Sequence, residues 1–301
     1  MRRFVLGPGA PEVSALACGV WRLADDPAGS DVSRVRAKIE ASLAAGITTF
    51  DHADIYGGYQ GEGLFGRALE EAPALRARME IITKCGIKAP GPNLPGARVK
   101  HYDASAAAII RAVDRSLQEL RTDYLDVLLI HRPDWLTNAE DTAHGLRQVM
   151  ASGKVRAVGV SNYSVPQYSL LEHFLGRPLA TNQVELSLLH MHATTDGTLD
   201  QCQAQGAHPM AWSPLAGGRL LQGGEASQRL APVLARIGNL YHASPEQIAL
   251  AWVAALPSRP QVIMGTNRPE RFTHLANAMA IQLEREHWYE LWASAQGRDI
   301  P

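Results

Sequence analysis

The sequence predicts an α/β fold, a (β/α)8 TIM barrel with a short N-terminal hairpin and an extra C-terminal helix. Three observations predict it. Short apolar runs alternate with amphipathic stretches from end to end, and each parallel strand pair needs a crossover helix, so the sheet is parallel. With a first strand near residues 15–20, the runs number eight. No GxGxxG follows the first strand, and the glycine-dense stretch (Gly217-Gly218, Gly223-Gly224) comes late, which disfavours the competing open, doubly wound sheet.

In chain order, residues 1–14 with the turn Gly7-Pro8-Gly9 read as a hairpin outside the barrel. Later apolar runs fall at 47–50, 80–83, 125–130, 155–160, 180–184, 209–212 and 261–264, all of strand length. Residues 31–45 carry Val32, Val35, Ile39 and Leu43 at helical spacing and stop at Gly46. Residues 103–120 repeat the pattern with Ile109, Val113, Leu117 and Leu120. Ser244-Pro245-Glu246-Gln247 offers an N-cap, a first-turn proline and a capping-box Gln for a helix through Ile248, Leu250 and Trp252. No linker, repeat or low-complexity segment interrupts the chain, so 1–301 reads as one domain.

Composition narrows the function. A length of 301 residues, 46% hydrophobic and 20% charged, supports a large core without disulfides or structural metal. Lys and Arg total 29 against 30 acids, a net charge of −1, which argues against a basic nucleic-acid-binding surface. Cys18, Cys85 and Cys202 lie far apart, as free thiols in a reducing compartment do. No apolar run approaches a membrane span. Arg2-Arg3 before Phe4-Val5-Leu6 hints at a secretion signal, but Gly7-Pro8-Gly9 and Glu12 cut the apolar stretch short, and the expectation is cytoplasmic.

In such a barrel the reacting groups sit at the carboxyl ends of strands. There the sequence places Asp51, with Tyr56 five residues on, then Lys84, His131, Ser161-Asn162 and Gln183. A phenol with a pKa near 10 is a poor acid at neutral pH unless its anion is stabilised. An ammonium about 4 Å away contributes about 4 kcal/mol at an effective dielectric of about 20. A carboxylate keeps a buried lysine charged, and an imidazole can hydrogen-bond a substrate oxygen. Such a set protonates an oxygen that is gaining negative charge, and it has no evident nucleophile.

The chain resembles the aldo/keto reductase superfamily. The matches, in family order, are Phe50-Asp51-His52-Ala53-Asp54-Ile55-Tyr56-Gly57, Ile82-Thr83-Lys84, Leu129-Ile130-His131-Arg132-Pro133, Gly159-Val160-Ser161-Asn162, Asn182-Gln183-Val184-Glu185, Trp212-Ser213-Pro214-Leu215 and Gly265-Thr266-Asn267-Arg268-Pro269-Glu270-Arg271. The resemblance implies reduction of an aldehyde or ketone by NADPH, with a tetrad of Asp51, Tyr56, Lys84 and His131. Tyr56 would be the general acid, Lys84 would lower its pKa, and His131 would orient the carbonyl. Gly19 and Val20 would border the cofactor, and Ser161, Asn162 and Gln183 would hold the nicotinamide carboxamide. Trp212 stands where relatives stack an aromatic ring on nicotinamide, and that reading is favoured over plain barrel core. Ser213, Leu215 and Gly217 would line the pyrophosphate. Gly265, Thr266, Asn267, Arg268 and Arg271 match the segment gripping the 2′-phosphate, and helix-start N–H groups with guanidinium forks suit a dianion. Two arginines there favour NADP over NAD. His274 and Leu275 depart from the Glu and Asn that relatives place near adenine.

Trp21, Tyr59 and Trp135 are candidates for the substrate pocket, with segments 90–100 and 215–228 as walls or a lid. Trp21 could instead pack beneath the pocket. Cys85, next to Lys84 on a strand, should point the opposite way into inert core. The expected partner is a small carbonyl substrate, with no nucleic acid, membrane or metal, and a monomer. His190-Met191-His192 lacks the further ligands of a metal hydrolase. Gly159-Val160-Ser161-Asn162-Tyr163 lacks the last glycine of a nucleophile elbow. The remaining alternative is a catalytically silent, nicotinamide-binding regulatory subunit on the same barrel.

Overall fold

A computed structural model describes residues 1–94 and 96–300. The hairpin pairs β1 (Arg3–Val5) with β2 (Glu12–Ser14), antiparallel. Eight parallel strands then close a barrel: β3 (Leu16–Gly19), β4 (Thr49–Asp51), β5 (Glu80–Cys85), β8 (Leu125–Ile130), β9 (Val155–Ser161), β10 (Asn182–Glu185), β11 (Met210–Trp212) and β12 (Gln261–Met264). The closing seam pairs Val262 with Leu16 and Met264 with Cys18. A second hairpin, β6 (Ile87–Lys88) with β7 (His101–Tyr102), projects beyond β5. The eight barrel strands are those the sequence predicts, with ends shifted by a few residues, and the β6–β7 hairpin is an addition.

The helices are α1 (Val32–Ala44), α2 (Tyr56–Tyr59), α3 (Gly61–Glu71), α4 (Ala106–Leu120), α5 (Ala139–Ala151), α6 (Val165–Leu175), α7 (Thr198–Ala204), α8 (Arg219–Gln222), α9 (Glu225–Leu240), α10 (Pro245–Ala254), α11 (Arg271–Ala276) and α12 (Arg285–Gln296). Their starts follow local chemistry. Asp31 accepts the Arg34 N–H at the start of α1, and Ser105 accepts the Ala108 N–H at the start of α4. Ser244 and Gln247 close the capping box of α10, and Ser164 with Gln167 does the same for α6. The expected C-terminal helix is α12. It is pinned to α10 by stacked indoles of Trp252 and Trp288, 4.7 Å between centroids, each donating its N–H to the other's carbonyl.

Strand alternation sorts the residues into two layers. Ala17, Ile82, Val127, Leu129, Ala157, Met210 and Ile263 face the barrel axis and pack with Leu6 and Val13 of the N-terminal hairpin, which plugs the barrel floor. Their neighbours Leu16, Phe50, Ile81, Cys85, Leu128, Val158 and Val262 face the helices. Stepping by two from the axial residues toward the carboxyl ends reaches Gly19, Lys84, His131, Ser161 and Trp212. The pleat therefore aims the site residues inward at one rim. Cys85 lies in the outer layer as expected, and burial pushes its thiol well above the ordinary range. No helix among the described residues is long and apolar enough to cross a membrane.

Candidate active site

The Lys84 ammonium is fully buried and lies at the centre of the rim. It donates to Asp51 Oδ2 at 2.8 Å, to the Tyr56 hydroxyl at 3.0 Å and to the His52 carbonyl at 2.7 Å. Burial works against its charge, but Asp51 and Tyr56 outweigh it, and its pKa lies above the ordinary lysine value. The other carboxylate oxygen of Asp51 accepts Gln183 Nε2 at 2.8 Å. The His131 ring stands edge-on to Tyr56, 6.0 Å between centroids. Burial, followed by the charges of Lys84 and Arg132, lowers the pKa of His131 to about 2, so its imidazole is neutral. Asp51, Tyr56, Lys84 and His131 thus surround one point.

Lys84 does pull the Tyr56 pKa down, but burial of the phenol is the larger effect, and the net shift is upward from the ordinary value. Desolvation of the phenolate exceeds the attraction of a lysine already paired with Asp51.

Around this core, Ser161 donates its hydroxyl to the Gln183 carbonyl at 2.9 Å and accepts Asn162 Nδ2 at 2.7 Å. Asn162 is in the left-handed region (φ 59°), and its Oδ1 accepts the Trp212 indole N–H at 3.2 Å. Arg22 crosses the cleft from the loop after β3, donating to the carbonyls of Gly217 at 3.3 Å and Gly265 at 3.5 Å. Gly265 has an ordinary backbone conformation, and a Cβ there would meet nothing within 4 Å. No neighbour within the chain therefore demands glycine at 265, and the open space beside it can receive a bound group. Gly217 (φ 70°) likewise faces open space. Thr266 accepts the Arg268 N–H, and Asn267 is fixed by Lys38 and by the Arg22 carbonyl.

A sequence model described as the aldo/keto reductase family matches residues 15–295. The chain belongs to the aldo/keto reductase family. This aldo/keto reductase is 45% identical over 289 residues to a 6-dehydroglucose reductase of Agrobacterium fabrum, covering 96% of both chains. It is 43% identical over 304 residues to oxidoreductase YdhF of Escherichia coli, covering 100% of both. Among solved structures, the glycerol dehydrogenase AKR11B4 of Gluconobacter oxydans superposes with a TM-score of 0.85 at 25% identity, covering 99% of this chain and 97% of that one.

In this aldo/keto reductase the remaining predicted residues divide. Gly19 is packed against β12, where a Cβ would lie 2.8 Å from Ile263 Cγ2, and Val20 is buried. Both line a crevice with Thr266 and Asn267. Ser213 and Leu215 lie in the turn after β11, where Ser213 has positive φ. The Arg271 guanidinium is paired with Glu246 at 2.8 Å, whereas the Arg268 side chain makes no hydrogen bond or ion pair among the described residues. His274 is engaged by Ser244, 3.0 Å from its Nε2, and Leu275 is buried core.

The three substrate-pocket candidates differ as well. Tyr59 is buried, and its hydroxyl donates to the Ile87 carbonyl and accepts the Ala89 N–H, so it anchors β6. Trp21 and Trp135 are 58% and 76% exposed on the rim loops. Segment 90–100 is the tip of the β6–β7 hairpin, with Pro95 outside the described residues, and Asn93 donates to the Gly58 carbonyl beside Tyr56. Among the described residues no His, Cys, Asp and Glu cluster could hold a metal.

Sequence reasoning missed the half-buried Arg132 and a buried pair of acids, Asp54 and Glu62. Burial raises both acids to about 7, with Glu62 also accepting the Thr83 hydroxyl at 2.6 Å. Asp54 and Arg132 do lie inside the quoted motifs, two residues before Tyr56 and directly after His131.

Proposed function

We propose that the protein is an NADPH-dependent oxidoreductase that reduces aldehydes or ketones to alcohols, with Tyr56 as the general acid. The observation that carries this reading is the shared ammonium: Lys84 Nζ bonds both Asp51 Oδ2 and the Tyr56 hydroxyl. The cofactor, when bound, supplies the hydride.

The chain's own residues supply the rest. Asn162 has one Nδ2 hydrogen left for the carboxamide oxygen, and Gln183, whose Nε2 is given to Asp51, has Oε1 left for the carboxamide N–H. Trp212, half-buried and held by Asn162, offers a face for the pyridine ring. Gly217 and Gly265 leave room for the phosphates under Arg22, and Arg268 offers its free fork to the 2′-phosphate. The neutral His131 can donate one N–H to the carbonyl oxygen. Tyr56 stays protonated at neutral pH and gives its proton as that oxygen becomes negative, while Lys84 stabilises the phenolate left behind. Relatives named 6-dehydroglucose reductase bring a sugar aldehyde into the substrate range.

The test is NADPH oxidation followed at 340 nm against aldehydes, ketones and sugar aldehydes, with Tyr56→Phe alongside. Tyr56→Phe should lower kcat by about 100-fold or more while NADPH still binds. Wild-type turnover in that variant overturns the assignment. Tight NADPH binding with no turnover of any carbonyl by the wild type points instead to a silent regulatory subunit.

A further inference from the structure

We propose that Arg132 is a substrate-binding residue whose guanidinium selects carbonyl compounds carrying hydroxyl groups near the reacting carbon, sugar-type aldehydes in preference to simple alkyl ones. The inference rests on the reductase reading above and names the substrate class of the same site.

Arg132 follows His131 on the rim and is half-buried, with its Cζ 6.0 Å from the centre of the Trp212 ring. Its charge acts on both the Tyr56 phenol and the His131 imidazole, so it lies within range of the reacting atoms. Among the described residues its side chain has no hydrogen-bond acceptor and no carboxylate partner. Other arginines are tied: Arg34 to Asp26, Arg76 to Asp126, Arg229 to Glu225 and Arg271 to Glu246. The nearby acid in sequence, Asp134, is already committed to the backbone N–H groups of Ala104 and Leu136 and the Thr137 hydroxyl. A half-buried fork of five donors thus stands over Trp212 with no acceptor among the described residues, and a ligand oxygen can meet it.

The surroundings indicate what fills it. Trp212 lies below the guanidinium, and Trp21 and Trp135 stand on the same rim, both exposed. Aromatic faces carry negative charge and attract C–H edges. The exposed indoles of Trp21 and Trp135 together with one guanidinium fork match a polyhydroxylated carbon chain, whose C–H groups lie on those rings and whose oxygens accept from the fork. A full anion fits less well. Hydride addition makes the carbonyl oxygen negative, and a second negative charge beside it would raise the energy of that state.

The experiment compares kcat/KM for D-glyceraldehyde, propanal and succinic semialdehyde with NADPH, in wild type, Arg132→Leu and Arg132→Lys. The glyceraldehyde-to-propanal ratio should fall about thirtyfold in Arg132→Leu, the loss of one or two charge-assisted hydrogen bonds. In Arg132→Lys, which keeps the charge but not the fork, it should fall about fivefold. The Lys variant also carries the test should the Leu variant fail to fold. Equal losses on glyceraldehyde and propanal overturn the proposal and leave Arg132 a positioning residue for His131 and Tyr56. A larger loss on succinic semialdehyde overturns the hydroxyl class in favour of an anion. A wild type that reduces other carbonyls but not glyceraldehyde overturns the proposal, whereas one that reduces no aldehyde, ketone or sugar aldehyde removes the reductase reading itself, a result visible before any variant is made.

Discussion

Gln183 donates its side-chain amide to one oxygen of Asp51 at 2.8 Å, and Lys84 holds the other oxygen at the same distance. The residue expected to hold the nicotinamide is therefore also part of the frame that fixes the lysine. Asp51→Asn would leave the buried Lys84 ammonium without a counter-charge. The expected cost is about 3–5 kcal/mol of folding stability, measured by urea unfolding. Adding Lys84→Met should restore much of it. A double variant as unstable as the single one would mean that lost hydrogen bonds, and not the uncompensated charge, set the cost.

His131 has its pKa lowered to about 2, and Tyr56 has its pKa raised. Neither group titrates in the neutral range. The kcat of carbonyl reduction should therefore stay flat between about pH 6 and pH 9. An inflection near the ordinary histidine value of about 6.5 that persists in Asp54→Asn/Glu62→Gln, where the two acids raised to about 7 are gone, would show that His131 ionises during turnover.

Two pairs of buried groups set opposite dependences of stability on pH. Asp54 and Glu62, raised to about 7 chiefly by burial, keep protons that the unfolded chain has lost, so they lower stability as pH rises from about 4 to about 7. His52, lowered to about 3 by burial, and His131 lack protons that the unfolded chain holds, so they raise stability over about pH 3 to 6.5. The two slopes oppose each other. The double variant Asp54→Asn/Glu62→Gln should gain stability with pH relative to wild type, by up to about 1.4 kcal/mol per pH unit for each acid removed. Urea midpoints at a series of pH values check this, and parallel curves for the two proteins would refute it.

The two arginines of the cofactor segment should behave differently. Arg268→Ala should weaken NADPH about tenfold or more and leave NADH little changed, because its side chain is free to grip a phosphate. Arg271 is held by Glu246 at 2.8 Å. Glu246→Gln should release it and tighten NADPH. An unchanged NADPH Kd in Glu246→Gln would mean that Arg271 serves the joint between α10 and α11 alone.

Gly66 lies where α3 meets the end of α4, and a Cβ there would fall 1.9 Å from the Glu119 carbonyl oxygen. Gly66→Ala must push the two helices apart. The expected loss is about 3 kcal/mol, seen as a lower Tm. A Tm within a degree of wild type would show that the helices separate without cost.

Most of the barrel and the tetrad were legible because strands have period two. Asp51, Lys84, His131 and Ser161 stand at successive strand ends with the parity of the axial residues below them, and that parity is written in the apolar runs. What stayed hidden depends on distances the sequence does not contain. The pairing of Arg271 with Glu246 depends on how α10 meets α11. Tyr59 looks like a pocket residue from its place after Tyr56, but its positive φ of 69° turns it under β6. The sign of the Tyr56 shift is a balance between burial and one ammonium, and burial cannot be read from neighbours in sequence.

The seam of the barrel joins β3 to β12, residues 16–19 to residues 261–264. During synthesis the ring cannot shut until nearly the whole polypeptide has left the ribosome, and until then both flanks of the growing sheet are bare. Across that join Gly19 lies against Ile263 and Met264, and Arg22 bonds Gly265 and Asn267. A chain released by a stop before β12 would therefore lack the Gly265 and Asn267 side of the cleft, whatever the state of its tetrad.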